Sequence, residues 1–266
     1  MIRFSVLGSG SSGNLSYVET ANTRILVDAG FSCKEIERRL ALLKVEPSGI
    51  DAVVVTHEHT DHVRGLGVFA RRYKVPVLIN EATLSNCSKN IGDIPIPVLF
   101  STGDTLTFRD LEVHFISKCH DAVDPVALTF SSNGYKLGIV TDLGRPTSLI
   151  LESIRHCNAL ILEFNHDLEL LERSSYPLEL KRRIRGPEGH LSNRQAARLL
   201  EQVTHGRLEF VVLAHLSQVN NSEKLAYSEA ATVLQNSVGN RTSIIVSSQY
   251  SPMPVASIGE GGKGVY

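Results

Sequence analysis

The segment Thr56-His57-Glu58-His59-Thr60-Asp61-His62 sets three imidazoles and the Asp61 carboxylate within six residues. It follows directly on Asp51–Thr56 (DAVVVT), an apolar run of the kind expected of a strand buried on both faces. A chain turns sharply at a strand's end, so closely spaced side chains there can converge instead of alternating outward. Imidazole nitrogen and carboxylate oxygen suit zinc, manganese and iron, and these residues supply more ligands than one open catalytic site requires. The plain alternative is a polar loop with incidental histidines. Four ligand-type residues at this spacing, behind a hydrophobic strand, argue for a metal centre instead.

Such ligands need a scaffold. Ile2–Leu7, Ser16–Glu19 and Arg24–Asp28 are short, β-branched or apolar runs separated by turn residues, and read as strands. Phe31–Lys44 has helical spacing, with Ile36, Leu40 and Leu43 on one face. Helices are expected at Val63–Tyr73 and Glu81–Lys89, with a strand at Val77–Ile79 between them. Further strands are expected at Val98–Phe100, Leu111–Ser117, Val126–Ser131 and Lys136–Thr141, the last two joined by the hairpin signal Asn133-Gly134. In the second half, strands Ala159–Phe164, Glu209–Ala214 and Ser243–Val246 alternate with helices Leu168–Glu172, Leu178–Ile184 and Ser192–Thr204. Alternation in both halves argues for an α/β layered domain. One domain over residues 1–256 is the economical reading. Residues 257–266, which include GEGGKG at Gly259–Gly264, read as a flexible tail.

The 266 residues are 42% apolar and 21% charged, ordinary globular composition that can bury a core without disulfides. Cys33, Cys87, Cys119 and Cys157 lie far apart with no C-x-x-C pair, so they read as independent thiols. No run approaches the roughly 18 apolar residues that span a bilayer. The start MIRFSVLGSGSSGN is strand-like and unlike a signal-peptide core. A cytoplasmic protein with no membrane partner is expected. The net charge of −1 excludes a wholly basic nucleic-acid binder and still permits a local basic face.

H-x-H-x-D-H after a hydrophobic strand resembles the signature of the metallo-β-lactamase superfamily of hydrolases. The resemblance implies an αββα sandwich, two mixed sheets flanked by helices, with a two-metal site at one edge of the sheets. It also implies later ligands, and His120 in SKCHDAVDP, Asp142 in GIVTDLG and His215 in FVVLAHLS stand in order at the ends of strand-like runs. On the family pattern His57, His59 and His120 hold one divalent ion and Asp61, His62 and His215 a second. Asp142 bridges them, which leaves room for a bridging hydroxide. Zinc and manganese both suit this donor set. His114, His156 and His205 fall inside a strand or near helix ends, where ordinary structural roles are expected.

The superfamily fold hosts several reactions, so the fold alone chooses none. Asp61-His62 is typical of its phosphodiesterase and nuclease branches, although thioesterase branches carry the pair too. Flavodiiron-type relatives place a carboxylate where His59 stands, which disfavours redox chemistry. Gly189-His190-Leu191-Ser192-Asn193-Arg194-Gln195-Ala196-Ala197 resembles the H-S-T-x-x-x-A-A segment of ribonuclease Z. There the histidine, helped by an upstream glutamate, protonates the leaving oxygen. Glu163 in LILEFNHD stands where that glutamate is expected.

GSGSSGN, THEHTDH, TDLG, EFNHD, RIRGPEGHLSN and HLSQVNN together resemble the WalJ/YycJ-type bacterial exonucleases over nearly the whole chain. This implies a two-metal nuclease degrading DNA 5′-to-3′, with Asp61, His190 and Glu163 catalytic. Arg182, Arg183, Arg194 and Arg198 would bind substrate phosphates, the ordinary alternative being a solvated helix face. Gly8–Asn14 could offer backbone N–H groups to a phosphate, but a tight strand connection is the simpler reading. Two further readings stay open: a hydrolase of small thioesters, lactones or cyclic nucleotides, and a non-catalytic metal sensor or scaffold.

Overall fold

The structure is a computed structural model that describes residues 1–236, 241–259 and 264–265. Strands β1 (Ile2–Gly8), β2 (Leu15–Glu19), β3 (Arg24–Val27), β4 (Ala52–Val54), β5 (Val77–Asn80) and β6 (Pro97–Phe100) pair in chain order. The β1–β2 and β2–β3 joints are antiparallel and the rest of this run is parallel. A second sheet holds β7 (Thr105–Phe108), β8 (Leu111–Ser117), β9 (Val126–Ser132), β10 (Tyr135–Val140), β11 (Ala159–Glu163), β12 (Phe210–Ala214) and β13 (Ser243–Val246). It is antiparallel from β7 to β10 and parallel from β10 to β13. The chain then returns as β14 (Ala256–Ile258) and β15 (Gly264–Val265) to the β1 edge of the first sheet.

Parallel neighbours need crossover connections, and helices supply them. In the first sheet these are α1 (Cys33–Leu42), α2 (Thr60–Val63), α3 (Leu66–Tyr73) and α4 (Glu81–Ile91). In the second they are α5 (Ser148–Ile154), α6 (Leu168–Arg173), α7 (Leu178–Arg185), α8 (Asn193–Val203) and α9 (Glu223–Asn236). Side-chain alternation then builds the layers. Ile25 and Val27 of β3 join Phe4, Phe115, Phe130 and Phe210 between the sheets. Leu26, between them in sequence, faces outward onto Ile36, Leu40 and Phe69 of α1 and α3. Leu160 and Leu213 do the same under Ile150, Leu199 and Ala230 of α5, α8 and α9. The result is the expected αββα sandwich of two mixed sheets.

Three departures have local causes. The helix expected at Val63–Tyr73 breaks into α2 and α3, because Gly65 N donates to Ala29 O at 2.8 Å and a Cβ there would strike the Phe31 carbonyl. Nothing marked α9, whose buried stripe starts with Ala226 and Ala230 and carries little hydrophobic signal. The tail boundary at 256 falls inside a strand: Ile2 pairs with the buried Ile258, and Ser257 pairs with Gly264. The rest of that expected tail, 260–263 and 266, lies outside the described residues. Among the described residues no helix is long and apolar enough to cross a membrane, and the four cysteines are free thiols.

Candidate metal centre

Strand ends place the site. β10, β11 and β12 are parallel, so their C-terminal ends set Asp142, Glu163 and His215 on one edge. The ends of β3 and β4, also parallel, bring Asp28 and the His57–His62 segment. Asp28, Asp142 and His215 adopt left-handed φ values of 61°, 56° and 56°. Non-glycine residues reach that region rarely and at a cost, and such residues cluster where function over-determines the backbone.

Ligand atoms of His57, His59 and His120 lie within 4.8 Å of one another, as do those of Asp61, His62 and His215, and of His57, His62 and Asp142. His59 Nδ1 is 3.3 Å from His120 Nε2. His62 Nε2 is 3.4 Å from Asp142 Oδ2 and 3.6 Å from Asp61 Oδ2. Buried polar atoms are normally paired, yet His57 Nε2, His215 Nε2 and Asp142 Oδ2 have no hydrogen-bond partner. These are one nitrogen from each histidine-rich cluster and an oxygen of the carboxylate between them. Two divalent cations would satisfy all three, so the residues fit the centre that the sequence implies.

The charges agree. Burial drives His57 well below its ordinary range, with His62 and Lys118 adding to the effect. Burial also lowers His120, to about 4, against the pull of Asp142. Both rings are therefore neutral, as a metal ligand must be. Burial opposes the charge on His62, but Asp28, Asp142 and Asp61 raise it to about 10. His215 is likewise raised well above the usual value against burial, chiefly by Asp142. Burial disfavours the Asp142 carboxylate, yet His215 and His62 hold it well below the usual range. The carboxylates around His62 and His215 thus favour positive charge at this edge, the charge that a cation would supply.

Sequence reasoning missed the groups behind the ligands. Asp28 Oδ2 lies 2.7 Å from His62 Nδ1, and Asp28 Oδ1 accepts from Thr56 N at 2.8 Å. A carboxylate on Nδ1 fixes the ring so that Nε2 faces the site. The available signal was the aspartate closing β3 in VDAG. Asn14 Nδ2 reaches Asp61 Oδ2 at 3.2 Å and His62 Nε2 at 3.0 Å. Gly30 lets this pair close up, since a Cβ there would strike the Asp61 carbonyl. In the Gly8–Asn14 turn, Ser9, Gly10, Ser12, Gly13 and Asn14 all direct their N–H groups to protein acceptors. The turn is therefore chiefly a connection that positions Asn14. Asp28→Ala should weaken affinity for one ion about 10- to 100-fold, the usual effect of losing such a support. A metal titration with unchanged affinities would remove that role.

His190 stands beside the cluster, its ring centroid 5.3 Å from that of His120 and 5.2 Å from that of His215. Its Nδ1 meets Glu163 Oε1 at 2.8 Å, and the same oxygen lies 3.0 Å from His215 Nδ1. Glu163 Oε2 accepts from Leu143 N and Leu191 N at 2.9 and 3.0 Å. Despite complete burial, His190 and His215 pull the Glu163 carboxyl down to about 2. Glu163 thus orients two imidazoles at once. His114 and His205 bond to the backbone carbonyls Asp104 O and Cys157 O and belong to none of the ligand groups.

The four arginines sit on two helices and have different neighbours. Arg183 lines a cavity of about 200 Å³ beside His190, and its Nε donates to Asp121 Oδ2. Arg182 is exposed on the same helix and pairs with Glu179 at 3.5 Å. Arg194 faces Glu229 of α9 at 3.7 Å, and Arg198 is exposed one turn further along α8.

Comparison with known proteins agrees with this geometry. The family model of the metallo-beta-lactamase superfamily matches residues 8–212. The exodeoxyribonuclease YycJ of Bacillus anthracis is 40% identical over 236 residues, covering 88% of this chain and 89% of that protein. The exodeoxyribonuclease WalJ of Streptococcus pneumoniae is 37% identical over 230 residues, 85% of each. Among solved structures, the metallo-beta-lactamase fold protein YhfI from Bacillus subtilis superposes with a TM-score of 0.73. That match covers 95% of this chain and 99% of YhfI at 16% identity, a likeness of fold.

Proposed function

The chain belongs to the metallo-β-lactamase superfamily, and from that premise we propose that it is a two-metal exonuclease removing nucleotides from the 5′ end of DNA. The carrying observation is the convergence of two ligand clusters on Asp142, with the His190–Glu163 pair alongside. The relatives' activity supports DNA as the substrate. His57, His59 and His120 would hold one ion and Asp61, His62 and His215 the other, with Asp142 placed to serve both. When bound, the ions supply charge neutralisation for the phosphodiester and a water-derived nucleophile at neutral pH. Asp61, steadied by Asn14, orients the attacking water. His190 has Nδ1 committed to Glu163, which leaves Nε2 to deliver a proton to the leaving oxygen. Glu163 holds the ring in that orientation and stabilises its charge.

The test uses end-labelled duplexes and closed circular DNA, with zinc or manganese, beside the small diester bis-p-nitrophenyl phosphate. The expected result is mononucleotide release from the 5′ label and no cutting of the circle. One observation favours a second reading, hydrolysis of a small phosphodiester: a single arginine, not four, lines the small cavity. Hydrolysis of the small diester with none of DNA would establish that reading. The same assay in a salt series separates the arginines. Arg182→Gln with Arg183→Gln should flatten the log–log slope of DNA affinity by about 0.9 for each phosphate no longer neutralised. Arg194→Gln with Arg198→Gln should leave it unchanged.

A further inference from the structure

His190 serves the leaving oxygen, so the space beyond it receives whatever leaves. That space is a cavity of about 200 Å³. Its walls differ in chemistry. Leu180, Arg183 and Ile184 sit at i, i+3 and i+4 of α7 and present one face, and Tyr176 precedes the helix. Ser217, just past the β12 end, lines the cavity too. A flat ring with aliphatic neighbours, a guanidinium and a hydroxyl suit the base, phosphate and sugar of one nucleotide. The guanidinium is already aimed, because its Nε is tied to Asp121 while the side chain stays 62% exposed. Holding a cation in place beforehand lowers the ordering cost of binding an anion.

We propose that this cavity is a subsite for the terminal nucleotide of the strand, with Tyr176 stacking its base and Arg183 taking its 5′-phosphate. The proposal rests on the nuclease reading above. It also gives a physical reason for polarity. A water oxygen bonds to the phosphorus of the second nucleotide and loses a proton to solvent. The P–O3′ bond breaks, its electron pair stays on O3′, and O3′ takes the proton from His190. The leaving unit is then one nucleotide with its 5′-phosphate, which the cavity holds. Attack at a 3′ end would make the remaining polymer the leaving group, and a cavity of this size cannot hold it.

The test compares kcat/KM for one oligonucleotide carrying three ends: 5′-phosphate, 5′-hydroxyl, and a 5′-phosphate on an abasic residue. In Tyr176→Ala the ratio of base-bearing to abasic ends should fall roughly 10-fold or more, the scale of one base–aromatic stack. Tyr176→Phe should restore that ratio. Arg183→Gln should bring the ratio of 5′-phosphate to 5′-hydroxyl ends towards one. Ratios unchanged in both variants, with DNA still degraded, would overturn the subsite and leave the nuclease reading standing. Wild-type enzyme that hydrolyses bis-p-nitrophenyl phosphate but no DNA would sink both.

Discussion

Asp142→Ala is expected to abolish hydrolysis and to lower bound metal towards one ion or none. The Asp142 carboxylate lies between the clusters, 3.4 Å from His62 Nε2 through one oxygen and 3.2 Å from His215 Nδ1 through the other. Without it, two cations in a buried site repel each other uncompensated. Alanine also has to adopt a backbone with φ of 56°, so Asp142→Asn is the companion variant. Asparagine tolerates that turn and keeps the side chain's size while removing the charge and one of the two ligating oxygens. Elemental analysis and DNA degradation read the outcome. Two ions retained at full activity in Asp142→Ala would end the bridging assignment.

His190→Ala should lower the rate on DNA roughly 10²- to 10⁴-fold, the scale of general acid–base catalysis. A substrate with p-nitrophenolate as leaving group needs no protonation and should lose much less. Metal content decides between two geometries. His190 and Glu163 also form a group with Asp142 and His215 at ligand distance, so a loss of metal would make His190 a ligand. Equal losses on both substrate types would likewise remove it as the acid.

Much of the site was legible because ligands at strand ends leave a local trace. DAVVVT before HEHTDH, GIVT before Asp142 and VVLA before His215 each mark a buried strand followed by a polar group. The six ligands behind those strands, and His120, which the family resemblance supplied, converge in the structure. Glu163 and His190, 27 positions apart, meet as named. The failures share another cause. Asp28 and Asn14 act by touching a ring and a carboxylate from other parts of the chain, 34 and 47 positions away. Asp28 carries the same strand-end trace after RILV, but nothing local says that it supports a ligand instead of being one, and Asn14 carries no trace at all.

From the sequence alone came the layered α/β architecture and the residues able to bind metal, because hydrophobic period and ligand chemistry are properties of short segments. Tertiary structure alone decided which basic groups flank the site. Arg183 and Arg194 lie 11 positions apart, yet one lines the cavity with Asp121 and the other faces Glu229 of α9. Helix spacing places a side chain on a face of its own helix. Where that face points depends on the neighbours each helix meets, Asp121 for α7 and α9 for α8, and those are set by residues distant in sequence.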